Sequence, residues 1–376
     1  ADPKILGVNA ASLALHVSDI PWAGPVGCVA MTRAKGSTDI MLNGYVPQSN
    51  DGAYDFDLTV CGKDGNINMI EAMTFEFDEA TIGEKFDDAV KEITRIEAWQ
   101  KEIAKELGKE KKEFPKPEVS DEVKTLFAEK MMPMLDAGLF GSDSKKTIGE
   151  VESAWGDLLS ETYPDDEKLR SAAKDYAEEA MDELVHAGAL KDNKRVDLRA
   201  FDEVRPLFAQ AGGISPVLHG SGIFYRGETH VLTVLTLAGP DAVQTVDGME
   251  SEYDRRFMHH YNFPPYSVGE AGRVGSTGRR EMGHGFLAEK ALVPVIPPKD
   301  IFPYTIRLVS ESVASNGSTS QASICASTVA LMDGGVPIKT PVAGVSVGLM
   351  MDPNDKTKYK LLTDIQGPED HFGDMD

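Results

Sequence analysis

Residues Ala11 to Met31 read ASLALHVSDIPWAGPVGCVAM, and residues Ser327 to Val347 read STVALMDGGVPIKTPVAGVSV. The two stretches align without a gap, matching Ala14 with Ala330, Leu15 with Leu331, Pro21 with Pro337, Pro25 with Pro341 and Val26 with Val342. Downstream, Tyr54 to Gly62 resembles Tyr359 to Gly367. Self-similarity of this kind marks a duplicated structural unit, and each copy reads as a short helix leading into strands. The second copy is preceded by a long strand-bearing segment from Arg195 onward, for which the first has no counterpart. The first runs on through Asn68-Met69-Ile70 into a helix that the second lacks. The expectation is two copies of one α/β unit, both incomplete. Asn68-Met69-Ile70 then stands opposite Asp374-Met375-Asp376, and the counterpart of the Ser-rich segment Ser315 to Ser323 falls outside the chain.

Working outward, Val26 to Met31, Ile40 to Leu42 and Leu58 to Cys61 read as strands after a short helix near Ala10 to Val17. From Ile82 the period changes, and Ile82, Phe86, Ala89, Val90, Ile93, Ile96 and Ile103 recur at helical spacing. A Pro-rich break at 114–117 follows. Val123 to Leu135, Ile148 to Leu159 and Leu169 to Leu184 again have helical spacing, with Thr147 and Glu150 as a capping box and Pro164-Asp165-Asp166 as a helix start. Strands return at Gly222 to Tyr225, His230 to Leu237 and Tyr304 to Val309. The predicted class is α/β (α+β), divided into residues 1–115 with the first copy and its long helix, an all-helical part over 116–190, and residues 191–376 with the second copy.

The 376 residues are 41% apolar, enough for separately buried cores. No apolar run is long enough to span a bilayer and no secretory leader opens the chain, so the reading is no membrane partner and a cytoplasmic location. Cys28, Cys61 and Cys325 are odd in number and far apart in apolar surroundings, which predicts buried free thiols. A net charge of −23 argues against a nucleic-acid partner at first sight. Its distribution weakens that objection: the acidic excess lies between Glu71 and Glu183, whereas Arg255, Arg256, Arg273, Arg279 and Arg280 gather later.

Three segments can carry chemistry. Ser315-Asn316-Gly317-Ser318-Thr319-Ser320-Gln321-Ala322-Ser323 leads into the apolar stretch Ile324 to Met332. If that stretch is a helix, hydroxyls and free N–H groups collect at its N-terminus, which suits a phosphate dianion and leaves it nucleophilic. Taken alone, the segment is an ordinary helix cap. Gly367 to Asp376 places four carboxylates within eight residues on a turn after a strand, hard oxygen ligands suited to Mg2+ or Mn2+. Gly272 to Gly285 reads as a glycine-rich loop with the paired Arg279 and Arg280, able to fork onto phosphate oxygens. His284, beside them, can donate a proton or a hydrogen bond to a leaving oxygen.

The run Phe257-Met258-His259-His260-Tyr261-Asn262-Phe263-Pro264-Pro265-Tyr266-Ser267-Val268-Gly269-Glu270, followed by GRREMGHG, SNGSTSQAS, MDGGVPIKTPVAG and LLTDIQGPEDHFGDMD, resembles the bacterial polynucleotide phosphorylases in order and spacing. The likeness extends back through Arg226-Gly227-Glu228-Thr229 and Glu203-Val204-Arg205-Pro206, and the DIPWAGPVG region resembles the first core of that family. It implies two ribonuclease PH-like cores (ribosomal protein S5 domain 2-like) joined by a helical domain, in a homotrimeric ring. The implied activity is 3′-to-5′ phosphorolysis of single-stranded RNA from its 3′ end, reversible as a polyribonucleotide nucleotidyltransferase, in mRNA degradation and RNA processing alongside other RNA-degradation proteins.

Carried over by position, the resemblance gives phosphate binding to Ser318, Thr319 and Ser320, phosphate or RNA backbone to Arg279 and Arg280, and a metal ion to Asp370 and Asp376. Catalytic roles fall to Asp370, Asp376 and His284, with Mg2+ (or Mn2+) as cofactor and inorganic phosphate as co-substrate. Thr319 replaces the usual middle serine and keeps the hydroxyl. The RxDGR motif of the family reads Arg195-Val196-Asp197-Leu198-Arg199 here, without its glycine, so that turn is expected to differ. A family lysine belongs two residues beyond Asp376. The first copy, with Ile70 where the second has Asp376, reads as a non-catalytic partner. Two other readings remain open: a catalytically silent RNA-binding ring subunit, and a hydrolytic 3′ exonuclease that releases nucleoside monophosphates.

Overall fold

A computed structural model describes residues 2–44, 54–114, 118–141, 144–249 and 251–376. Most of the Pro-rich break, together with the expected boundary at 115/116, lies outside the described residues.

The chain opens with α1 (Pro3–Val17), capped by Asp2, whose carboxylate accepts from the Lys4 N–H at 2.8 Å. β1 (Gly27–Ala34), β2 (Met41–Leu42), β3 (Tyr54–Lys63) and β4 (Asn66–Thr74) form an antiparallel sheet in the order β2-β1-β3-β4. Across β1 and β3 lies α2 (Glu79–Leu107), whose apolar stripe through Ala89 and Ile93 closes over Val29, Phe56, Leu58 and Val60. The 3.6-residue period read from Ile82 onward is what allows one face to do this.

Four helices follow: α3 (Asp121–Lys130), α4 (Met132–Gly138), α5 (Ser144–Thr162) and α6 (Glu167–Leu190). Asp166 caps α6 by accepting from the Leu169 N–H, as its sequence suggested. The proposed cap at Thr147 is instead inside α5, one turn past the start at Ser144. A mixed sheet then runs β10-β11-β7-β6-β5, built from β5 (Leu207–Ala211), β6 (Gly220–Arg226), β7 (Thr229–Ala238), β10 (Phe257–Asn262) and β11 (Thr305–Ala314). The small hairpin β8 (Gln244–Asp247) and β9 (Glu252–Arg255) interrupts it, and α7 (Arg279–Leu292) precedes β11. After β11 come α8 (Thr319–Asp333), the hairpin β12 (Val347–Asp352) and β13 (Asp355–Thr363), and the short α9 (Gly367–Phe372).

Small residues let α8 lie directly on the sheet: a Cβ at Gly222 would stand 2.3 Å from the Ala326 carbonyl oxygen. The helices do not pack in isolation either. Their apolar core, through Phe127, Trp155 and Met181, continues into Met350, Leu362, Ile365 and Phe372 of the β12, β13 and α9 region. All three cysteines are buried.

The repeat is visible in the backbone. The gapless alignment carries both ends of α1 onto both ends of α8, and the two alignments together turn the cross-strand pair Met31 and Leu58 into Val347 and Thr363. Side chains repeat as well. In the first copy the Val26 N–H donates to Ser12 Oγ at 2.9 Å, and in the second the Val342 N–H donates to Thr328 Oγ1 at 3.4 Å. Asn9 exchanges hydrogen bonds with the backbone of Cys28, just as Cys325 does with that of Gly344.

Two expectations about the repeat are corrected. Carried back along the same alignment, Asp2-Pro3-Lys4 stands opposite Ser318-Thr319-Ser320, so this part of the serine-rich segment does have a counterpart in the chain. Asn68-Met69-Ile70, in contrast, is not placed like Asp374-Met375-Asp376. The former lies on β4 and pairs with β3, whereas Met375 bridges Leu349 on β12, the strand that corresponds to β1.

Candidate active site

The segment joining β11 to α8 is held from behind by buried charge. Arg205 donates to the carbonyl oxygen of Asn316 at 2.6 Å and Arg226 to that of Ser318 at 3.1 Å, while Thr229 Oγ1 donates to Gly317 O at 2.8 Å. Both arginines also bind Asp364, at 2.8 and 3.0 Å, and Arg199 approaches it at 3.5 Å. Burial works to raise the pKa of Asp364, but the hydrogen bonds and charge of Arg205, with Arg226, hold it below the usual carboxylate range. Beside this group Arg195, fully buried, forks onto Glu369 at 2.8 and 2.7 Å. With its carbonyls engaged at the back, the segment is left with the first-turn N–H groups of α8, which have no acceptor within the helix.

Gly317 and Ser318 make the turn with φ of +80° and +57°. A Cβ on Gly317 would stand 2.8 Å from the backbone of Gln366, so the glycine is required twice over. Ser318 has no such freedom and sits in the left-handed region, where strained residues cluster at functional sites. In the turn at Arg195 to Arg199, Leu198, which stands in place of the motif's glycine, has φ +62°, in the left-handed region. Two ion pairs flank it, Arg195 with Glu369 and Arg199 with Asp197.

A cavity of about 230 Å³ opens in front of α8. Its lining includes Ser318, Thr319 and Ser320, the carboxylates Asp370 and Asp376, and Arg280 and His284. Seven of the eight residues singled out from sequence therefore meet in one place, although they come from three separate segments. Arg279 is not among the lining residues. The supposed loop carrying it is the first turn of α7: Glu281 accepts from the Gly278 N–H at 2.6 Å and from the Phe263 N–H at 2.8 Å, which starts the helix and ties it to β10. The carboxylate-rich turn likewise contains a helical turn, α9. Arg255 and Arg256, part of the basic cluster seen in the sequence, are engaged structurally, with Glu289 and with the carbonyls of Phe302 and Tyr304.

Residues that sequence reasoning passed over complete the wall. Tyr261 on β10 stacks with Phe263 just past the end of that strand, His284 stacks on Tyr261 at 5.6 Å, and Arg280 lies 4.8 Å over the Phe263 ring. The run of aromatic residues on an alternating strand was the available signal. Lys145, from α5, had none, because nothing in its neighbourhood links it to a site 170 residues away.

The electrostatics are uneven. Crowding by protein around Asp370, followed by its hydrogen bond and charge repulsion with Asp376, pushes its carboxyl up to about 6, although the side chain is open on the cavity side. Such a carboxylate pair is poised for a cation. Among the described residues there is no cluster of three or more His, Cys, Asp or Glu side chains that could hold a metal. Burial and then Arg280 lower the pKa of His284 against the opposing pull of Asp376, which favours a neutral imidazole. Burial pushes the Tyr261 phenol up to about 12.

Residues 203–337 match the model of the 3′ exoribonuclease family, domain 1, of ribonuclease PH type. The whole chain is 44% identical over 383 residues to the polyribonucleotide nucleotidyltransferase of Streptococcus equi subsp. zooepidemicus, covering 52% of that protein. It is also 44% identical over 393 residues to the one of Geobacillus kaustophilus, covering 51%. Over its whole length the chain is similar to proteins named polyribonucleotide nucleotidyltransferase. It spans about half the length of the curated relatives it matches. Its fold is mixed α/β, with the ribonuclease PH-type match lying over residues 203–337. An Archaeoglobus fulgidus exosome with RNA bound to the active site aligns at a TM-score of 0.37 and 16% identity, over 51% of this chain and 78% of that one. Among the described residues no helix is long and apolar enough to cross a membrane.

Proposed function

We propose that the protein degrades single-stranded RNA from its 3′ end by phosphorolysis, releasing nucleoside diphosphates, and runs the reverse reaction as a polyribonucleotide nucleotidyltransferase. The observation that carries this reading is one cavity in which the hydroxyl-rich start of α8 faces the Asp370 and Asp376 pair. Phosphate held by Ser318, Thr319, Ser320 and the α8 N–H groups attacks the terminal phosphorus in line. The bond to the 3′ oxygen of the preceding nucleotide breaks, and that oxygen takes the proton carried in by monohydrogen phosphate. Arg280 offsets charge on the transferring phosphoryl group, and neutral His284 hydrogen-bonds the leaving oxygen.

Asp370 and Asp376 would hold Mg2+ or Mn2+, which supplies charge neutralisation at phosphate oxygens when bound. Tyr261 and Phe263 offer ring faces to the terminal bases, a contact indifferent to sequence. In this proposal residues 191–376 form the catalytic core, 116–190 the helical domain and 1–115 a non-catalytic core, assembled as a homotrimeric ring in the cytoplasm with other RNA-degradation proteins as further partners.

The test is product analysis on a thin-layer plate with labelled inorganic phosphate. Labelled nucleoside diphosphates are expected, and Asp376→Ala should lower their release by about a hundredfold or more. Undiminished release by that variant overturns the site assignment. Monophosphates formed without phosphate would mean hydrolysis, and RNA retention without turnover would mean a scaffold.

A further inference from the structure

Arg279 was expected to give the cavity its second cation, and the structure puts Lys145 there instead. Lys145 Nζ donates to the carbonyl oxygen of Ser315 at 2.8 Å, at the root of the serine-rich segment, and lines the same cavity as Thr319, Asp370 and Arg280. An ammonium group has three donors, so this bond leaves two for another acceptor. The helix that carries it is firmly placed: Ile148, Val151 and Trp155 bury its inner face, and Ser144, just ahead of the lysine, is itself buried beside Gln366 at 3.5 Å.

We infer that Lys145 is a phosphate-binding residue of the site, contributed by the helical segment, which grips the attacking phosphate dianion together with Arg280. This rests on the phosphorolytic reading above. The helical segment is thereby part of the active site and not only a connector between two cores.

The experiment is calorimetric titration of the protein with inorganic phosphate at pH 7.5 and low salt, for the wild type, Lys145→Met, Lys145→Arg and Ser320→Ala, with a thermal melt of each. Lys145→Met should bind phosphate about tenfold more weakly at an unchanged melting temperature, since a hydrogen bond to a charged group is lost. Lys145→Arg should stay within about threefold of the wild type, because the charge is kept. If Ser320→Ala loses binding and Lys145→Met does not, the inference fails while the phosphate site stands. A Lys145→Met variant that melts earlier and is not rescued by arginine shows a structural lysine and also overturns it. Absence of phosphate binding by the wild type sinks both this inference and the reading it rests on.

Discussion

The two copies of the repeat share a helix, a strand pair and even the bonds that fasten one to the other, yet the two positions that matter for an anion differ. At the head of the helix, the first copy has Asp2, whose carboxylate already satisfies a first-turn N–H, where the second has Ser318. Behind it, the first copy has Thr59 where the second has Asp364, the buried anion that gathers Arg199, Arg205 and Arg226. One copy caps its own helix with a negative charge. The other supplies hydroxyls at the front and a balanced buried cluster at the back, which leaves the helix start free for an external anion. The backbone unit is the same in both copies, and side-chain charge at two positions sets how much of the helix start is left open to an anion.

The largest test of that contrast removes the buried anion. Asp364→Ala should destabilise the protein by about 3 to 5 kcal/mol, because Arg205 and Arg226 are left buried without it. Thr59→Ala, at the matching place, should stay within about 0.5 kcal/mol. Chemical denaturation measures both, and similar losses would break the comparison.

A smaller effect concerns His259 on β10, which is buried against Ser310 and Gly285 and has its pKa pushed down to about 4 by burial. The folded value lies below the unfolded one, so the unfolded chain takes up the proton first. Stability from this group is fully present above about pH 6.5 and is lost as the pH falls toward about 4, by up to about 3 kcal/mol. Hydrogen exchange corrected for intrinsic rates should therefore speed up between pH 7 and 5 in β10 and β11 more than in β1 and β3. Equal acceleration would contradict the assignment.

The smallest effect probes strain beside the second copy's charge cluster. Leu198→Gly relieves a left-handed residue but adds freedom to the unfolded chain, so a net gain of about 0.5 to 1 kcal/mol is expected. A rise of roughly 2 °C in the melting temperature would register it, and a fall would mean that the leucine side chain contributes more than its backbone costs.

Much of this was legible in the chain. The spacing of Ile82, Phe86, Ala89 and Ile93 announces α2, and small apolar residues after Ser323 announce α8, because local periodicity reflects one buried face. The serine-rich segment and the aspartates were also readable, since their residue types suit phosphate and a hard cation. What failed was local geometry near helix ends. Arg279 and Arg280 looked like loop residues because glycines precede them, but Glu281 captures the Gly278 N–H and starts a helix there, from which Arg280 lines the cavity and Arg279 does not. Asp376 could not be matched to its partner strand by sequence offset, because pairing across β12 is decided in space.

The sequence by itself determined the duplication, the helical character of the middle and the residue types available for phosphate and metal, because periodicity and composition act over short stretches. Only the tertiary structure decided which of them meet. It brought Lys145 to Ser315, excluded Arg279 and balanced Asp364 with arginines from Arg199, Arg205 and Arg226. Coulomb attraction and desolvation depend on distances between residues far apart in the chain, and those distances exist only once the cores have closed.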